Sequence, residues 1–282
     1  MTNAPRLPLA TWMVGCGNMG GAIVEGWRAA GFDLSGLTVI RPSGHGVEEV
    51  RTVAAPADAG AAPKIVILAM KPQQLDAVAR ELRPLLSAKT LLVSILAGVE
   101  AASLRTRFPG VAAVVRAMPN LPVAIRRGVI ALFSADASDA QRQLVAELFQ
   151  PLGFAPWVSE EARLAAIGSV AGAGPAYVAR FIAALAKAGE QRGLSAEMAG
   201  IAALETVLGT AWLAATTKWD MAELARRVAS PKGTTEAGLA VLDRDSVLDE
   251  LVAVTIAAAA RRGAELAEDA KDHSLAGAGE LS

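Results

Sequence analysis

Cysteine is almost missing from this chain: Cys16 is the only one among 282 residues. No internal disulfide can form, and without His or Cys neighbours at ligand spacing Cys16 supports no structural zinc site, so no metal is expected and a reducing cytoplasm fits. An excess of charge is missing as well, because 27 Lys and Arg oppose 28 Asp and Glu. Nucleic acid and anionic membrane surfaces, which attract broad positive fields, are thereby set aside as partners. The first residues, Met1–Leu9, carry prolines and no long apolar core, so they do not read as a secretory signal. The most apolar stretch, Met198–Thr216, is interrupted by Glu205, a poor match to the ~20 clean apolar residues of a membrane span. It reads instead as a buried soluble helix.

What is present suffices for two packed cores. Hydrophobic residues make up 53% and charged residues 20%, and the length exceeds what one core usually holds. Short β-rich runs alternate with amphipathic stretches up to about Val158, the pattern of strand–helix–strand units and a mainly parallel sheet. The expected strands are Thr11–Val14, Leu37–Ile40, Lys64–Ala69, Thr90–Ile95, Ala112–Ala117, Val129–Ser134 and Phe154–Val158. From Glu161 onward the pattern is helical: Glu161–Val170, Pro175–Arg192, Ser195–Thr217, Met221–Val228, Thr235–Leu242 and Ser246–Asp272. Residues 1–159 and 160–282 are therefore expected to form an α/β domain and an all-helical one.

Gly193 reads as a helix stop and Ser195 as the next cap. The helix that follows has small or apolar residues on nearly every face and needs partners all round it. A homodimer in which these helices interdigitate is expected, the alternative being an Ala-rich helix buried in its own bundle. The Gly-rich tail Leu275–Ser282 is expected to fray.

Thr11-Trp-Met-Val14 runs straight into Gly15-Cys-Gly17-Asn-Met-Gly20: strand, glycine turn, then a helix Asn18–Ala30 closed by Gly31. Gly15 permits the turn, Gly17 lets backbone approach a pyrophosphate, and Gly20 allows close helix–strand packing, while free N–H groups at the helix start bind phosphate. The residues expected along this loop are Gly15, Cys16, Gly17, Asn18 and Met19, with Cys16 as loop packing rather than a nucleophile. The second strand ends in Arg41-Pro42-Ser43, where an acidic residue would select NAD. A guanidinium and a hydroxyl there favour the phosphate of NADP.

Ligands of such sheets sit beyond the carboxyl ends of the strands. That places Ala69, Met70, Lys71 and Pro72 beside the dinucleotide, with Lys71 either neutralising phosphate or merely starting a helix. Ala97 and Asn120 end later strands, and Asn120 has two open roles, bonding the nicotinamide amide or capping local backbone. His45 and His273 are the only histidines, and neither falls at a strand end that would face a nicotinamide, which counts against histidine acid/base chemistry. Reduction of a C=N bond fits better, because a protonated imine already accepts hydride. In the helical half, Ser230-Pro-Lys-Gly-Thr-Thr235 precedes a helix start, which either grips a carboxylate by its free N–H groups or is simply capped by Thr234 or Thr235.

Together these stretches resemble pyrroline-5-carboxylate reductases over nearly the whole length. The resemblance rests on Val14-Gly-Cys-Gly-Asn-Met-Gly-Gly-Ala-Ile23, Ala69-Met-Lys-Pro72, Val115-Arg-Ala-Met-Pro-Asn120, Gly172-Ala-Gly-Pro-Ala-Tyr177 and Ser230-Pro-Lys-Gly-Thr-Thr-Glu-Ala-Gly238. It implies an N-terminal Rossmann-type doubly wound sheet followed by an all-helical dimerisation domain. It also implies hydride delivery from NADPH, with NADH as a possible substitute, to the imine carbon of a cyclic imino acid, giving proline, where the cofactor domain meets the helical dimer. By the same resemblance Thr235 hydrogen-bonds the substrate ring nitrogen and is the catalytic candidate, Gly233 and Thr234 belong to the carboxylate-holding loop, and Ala97 lines the cofactor and substrate; Ser230 is expected among the substrate-binding residues with them. An interlocked dimer, often built into a larger ring, is implied too.

Several positions depart from the family pattern: Leu96 for a small Ala, Leu121 for Thr, Ala171 and Ala173 for Ser, Lys232 for Gly, and Lys218-Trp-Asp220 for Glu-His-Pro. Each lost hydroxyl contact is worth roughly 0.5 to 1.5 kcal/mol, enough to tune affinity or admit another cyclic imine. Two rival readings stay open at this level, a hydroxyacid dehydrogenase of similar layout and an NADP-binding scaffold without chemistry.

Overall fold

Ile65-Val-Ile-Leu68 and Leu91-Leu-Val-Ser94 show no alternation of polar and apolar positions, as strands covered on both faces require. In the computed structural model, which describes residues 6–8 and 10–276, both lie inside an eight-stranded sheet. The strands are β1 (Thr11–Val14), β2 (Leu37–Ile40), β3 (Arg51–Val53), β4 (Ile65–Leu68), β5 (Leu91–Ser94), β6 (Ala113–Pro119), β7 (Gly128–Phe133) and β8 (Gly153–Phe154), in the order β3-β2-β1-β4-β5-β6-β7-β8. β1 to β6 are parallel, and β7 runs antiparallel to β6. The order reverses between β1 and β4, the doubly wound arrangement expected.

Helices α1 (Asn18–Ala29), α2 (Leu75–Leu82), α3 (Ala101–Arg107) and α4 (Asp139–Phe149) flank the sheet. One core holds Met13, Ile23, Trp27, Ile67 and Phe149, the other Trp12, Leu68, Leu82, Leu92 and Phe108, all at most 1% exposed. Trp27 also donates Nε1–H to the Leu148 carbonyl (2.7 Å). The α4 start is a capping box in which Ser138 N–H donates to Gln141 Oε1 (2.8 Å) and Gln141 N–H returns to Ser138 Oγ (3.4 Å).

Three sequence expectations change. β3 went unforeseen because three residues at an exposed sheet edge carry no periodicity. The expected strand Phe154–Val158 is cut to Gly153–Phe154, and pairing resumes only where Leu132 N–H donates to the Pro156 carbonyl (2.9 Å), since proline has no N–H to continue the ladder. The expected helix Glu161–Val170 divides into α5 (Glu161–Ile167) and a π turn, Gly168–Gly172, in a glycine-bearing stretch where helix propensity is weak.

The chain separates into two compact units, one ending at Ala173 and taking in the stretch from Ala259, the other Gly174–Ala258. The first runs past the expected boundary at residue 159, because β6 holds α5 and the π turn. The second contains α6 (Gly174–Gln191), α7 (Ala196–Thr217), α8 (Met221–Val228), α9 (Thr234–Leu242) and the beginning of α10 (Val247–Ala276). Gly193 sits at φ +94° and Ser195 Oγ accepts the Met198 N–H (3.2 Å), the stop and cap that the sequence predicts.

α7 counts against the alternative of an Ala-rich helix buried in its own bundle. Only Ala199, Ala203 and Ala214 are covered, on the face that meets Gly189 of α6. Met198, Ile201, Leu204, Leu208 and Trp212 form an exposed stripe on the other side. By length and composition α7 and the run Glu161–Gln191 are also apolar enough to cross a membrane. The expectations for Met1–Leu9 and for the Gly-rich tail fall largely outside the described residues.

Candidate functional site

The carboxyl ends of the parallel strands are stitched together by the backbone. Gly15 N–H donates to the Ile40 carbonyl (2.8 Å), Ala69 N–H to that of Val14 (2.8 Å) and Ile95 N–H to that of Leu68 (3.0 Å). Gly15 sits at φ +81°, and a β-carbon there would lie 2.7 Å from the Met70 nitrogen and 2.8 Å from the Ala69 oxygen. Only glycine allows this turn and this neighbour at once. Gly20 packs against Met13 and Ala69, the close helix–strand contact expected of it.

Gly17 is the cap residue of α1, with open space where its β-carbon would stand, no side-chain cap and no acidic residue in the first turn. The start of α1 thus offers free N–H groups with room above them, which fits a diphosphate. Asn18 is exposed and Met19 half-buried at that start. Cys16 packs against the core. Burial pushes its thiol above the ordinary range, more than Arg41 pulls it down, so it is loop packing and not a thiolate.

Arg41 directly follows Ile40, whose carbonyl accepts the Gly15 N–H (2.8 Å), so its backbone adjoins the glycine loop. Its backbone is fixed by N–H donation to Val53 (2.9 Å) and by the turn in which Gly44 N–H donates back to Arg41 (3.0 Å), leaving Ser43 exposed. Ala69, Met70 and Pro72 are half-buried while Lys71 is exposed. Lys71 N–H donates to Gln74 Oε1 (3.3 Å) and Pro72 opens the short turn into α2, so this Lys-Pro pair starts a helix and still presents an ammonium. Ala97 is exposed at the end of β5, whereas Leu96, one of the departures, is only 3% exposed and belongs to the core.

Asn120 bonds backbone, but at a distance in sequence rather than the local backbone expected of a cap. Its Nδ2 donates to the Ala171 carbonyl (2.9 Å) and its Oδ1 accepts the Val129 N–H (2.8 Å). The amide thus ties the end of β6 to the π turn and to β7. Sequence reasoning missed Arg116, a nearly buried cation 2.7 Å from Glu161, whose carboxylate also accepts the Ala101 N–H (2.8 Å). Partners 45 residues apart leave no local signal.

In the helical unit, Gly233 caps α9 with no side-chain cap bond, so neither Thr234 nor Thr235 caps the helix, contrary to the plainer of the two readings. Gly233 N–H donates to the Ser230 carbonyl (2.9 Å), and a β-carbon on Gly233 would fall 2.4 Å from Ser230 Oγ. Ser230 and Thr234 are exposed and Thr235 half-buried. Lys232, where the family has Gly, is held at φ +59° with its N–H on the Glu236 carboxylate.

Known proteins agree with this layout. The family model described as pyrroline-5-carboxylate reductase dimerisation matches residues 161–266, and that of NADP oxidoreductase, coenzyme F420-dependent, matches residues 12–98. The pyrroline-5-carboxylate reductase of Pseudomonas aeruginosa is 38% identical over 265 residues, 90% of this chain and 96% of its own. The structure of the Coxiella burnetii enzyme superposes with a TM-score of 0.82 at 32% identity, covering 92% of this chain and 98% of that one. The Plasmodium falciparum enzyme, solved with NADP bound, has the same fold at a TM-score of 0.82 and 24% identity, again covering 92% and 98%. With open amides at one helix start, an uncapped Gly-Thr-Thr at another and relatives of this identity along nearly its whole length, this chain belongs to the pyrroline-5-carboxylate reductase family.

Proposed function

We propose that this chain reduces 1-pyrroline-5-carboxylate to L-proline with NADPH, acting as a homodimer in the cytoplasm. Family membership makes it an NAD(P)H-dependent reductase, and the observation that carries the substrate is the uncapped start of α9 at Gly233, followed directly by Thr234 and Thr235. Bound NADPH supplies the hydride. The amides of Gly17, Asn18 and Met19 hold its diphosphate, and Arg41 with Ser43 takes the 2′-phosphate that an acidic residue would repel. The free amides that open α9 from Thr234 onward hold the substrate carboxylate, as helix starts hold anions, while the Gly233 amide closes the turn on Ser230. The Thr235 hydroxyl hydrogen-bonds the ring nitrogen and orients the imine. No strong acid is required, because the iminium is already electrophilic, so catalysis lies in positioning and electrostatics.

The homodimer reading rests on the exposed stripe of α7, where Leu208 and Trp212 are each 56% exposed. Large apolar patches of that kind mark protein interfaces, and the dimerisation match spans the helix. Covering α7 with a second copy also removes the need for a membrane.

The test follows NADPH absorbance with pyrroline-5-carboxylate and its six-membered homologue side by side. Oxidation with the five-membered imine is expected, and oxidation with neither overturns the reading. Thr235→Ala should lower kcat by roughly tenfold to a hundredfold, the worth of one hydrogen bond to a charged group, with NADPH binding intact. Normal turnover in that variant removes Thr235 from the mechanism.

A further inference from the structure

Two of the buried polar side chains in the sheet unit, Arg116 and Asn120, at 6% exposure each, are bonded to segments of the unit far from them in sequence. Residues two apart on a strand share a face, so Arg116, Met118 and Asn120 form one row along β6 and just beyond its end. All three reach the same segment of chain. Arg116 Nη1 donates to Glu161 Oε1 (2.7 Å) at the start of α5. The Met118 side chain fills the space beside Gly168, 3.2 to 3.4 Å from where a β-carbon would stand, at the start of the π turn. Asn120 Nδ2 donates to the Ala171 carbonyl near the end of that turn.

The row is anchored at its other side as well. Asn120 Oδ1 is held by the Val129 N–H of β7, which orients the amide. Glu161 also accepts the Ala101 N–H at the start of α3, immediately after the strand-end loop that carries Ala97. One carboxylate therefore joins that loop, β6 and α5, while Asn120 fixes the π turn from whose end, at Gly174, α6 begins. A π turn widens the helical ladder and is a conformation that neighbours must hold in place.

We propose that Arg116 and Asn120 are positioning residues for the reduction: they hold the π turn 168–172 in register with the Ala97 loop, so that turnover depends on them while cofactor affinity does not. This rests on the reductase reading above. It also reassigns Asn120, which sequence alone leaves free to meet the nicotinamide.

The experiment uses the full-length protein with Asn120→Asp and Asn120→Ala, measuring NADPH affinity by fluorescence titration, kcat and KM for pyrroline-5-carboxylate, and hydrogen exchange of the amides of residues 168–173. Asn120→Asp keeps an acceptor for Val129 but sets a carboxylate against the Ala171 carbonyl. Expected are an unchanged NADPH dissociation constant, a kcat lowered by roughly tenfold or more, the scale on which small misplacements act, and faster exchange in the turn. Arg116→Lys, which keeps the charge on Glu161, should retain most turnover where Arg116→Met does not. A dissociation constant that rises in step with the loss of kcat overturns the proposal, because Asn120 then touches the cofactor. Unaltered exchange in the turn overturns it too, as does faster exchange with an unchanged kcat. If wild-type protein reduces neither imine, the reductase reading fails, and the exchange difference still reports whether the row holds the turn.

Discussion

β4 and α7 are both rich in apolar residues and fare in opposite ways. All four residues of β4, Ile65 to Leu68, are fully buried, sealed on both faces by helices of the same unit. α7 buries only three alanines and leaves Met198, Ile201, Leu204, Leu208 and Trp212 more than half exposed. The difference teaches that apolar sequence states a need for cover without naming what supplies it. A parallel sheet finds its cover among its own crossover helices, whereas α7 shows its small side to α6 and leaves its large side open, the side here proposed to meet a second copy.

The strongest way to break that contrast is a charge on each element. Leu208→Asp with Trp212→Asp should leave the chain folded and turn the dimer into monomer, because each large apolar side chain is worth about 1.5–3 kcal/mol and a two-fold interface counts it twice. Ile67→Asp should instead abolish the folded state at every concentration. Light scattering and circular dichroism together decide, and an unchanged mass for the α7 variant would mean that its stripe is not the interface.

A smaller effect sharpens the sheet side, where the proposed cofactor contacts come from one unit. Arg41→Ala should weaken NADPH by roughly tenfold to a hundredfold and leave NADH nearly unaffected, the loss of a charge-assisted contact to one phosphate. Titration of both coenzymes checks it, and equal losses for the two would detach Arg41 from the 2′-phosphate.

The smallest effect concerns the far edge of the same sheet. Burial alone would raise the carboxyl of Asp136, but hydrogen bonds from the Val114 amide, Arg105 and Ser134 outweigh it and hold the group below its usual range. A depressed folded value means stability that is present above the ordinary carboxylate pKa and is lost as pH falls through the folded one. Asp136→Asn should therefore lower the melting temperature slightly at neutral pH and flatten its fall below about pH 4. An acid limb as steep as that of wild type would show that other carboxylates set it.

Much of this was legible beforehand, and the physical reasons are local. Gly15, Gly17 and Gly20 announce a turn, a bare helix start and a close packing by lacking a side chain, and all three are found in those roles. Met221–Val228 matches its expected bounds because Asp220 caps it, Oδ1 accepting the Glu223 N–H (2.7 Å). Asn120 could be placed at a strand end but not given a partner, since Ala171 lies 51 residues further on. Arg116 and Glu161 each look like ordinary surface charges until β6 and α5 are brought together.

The order of small, apolar and hydroxyl-bearing residues by itself determined the doubly wound sheet, the glycine turn before α1 and the Gly-Thr-Thr loop, because each depends on backbone freedom or periodicity within a few residues. Only the tertiary structure decided what Asn120 holds, which face of α7 stays open and how the π turn is tied to β6. Those outcomes depend on groups far apart in the chain meeting in space, and no short window of sequence contains both members of such a pair.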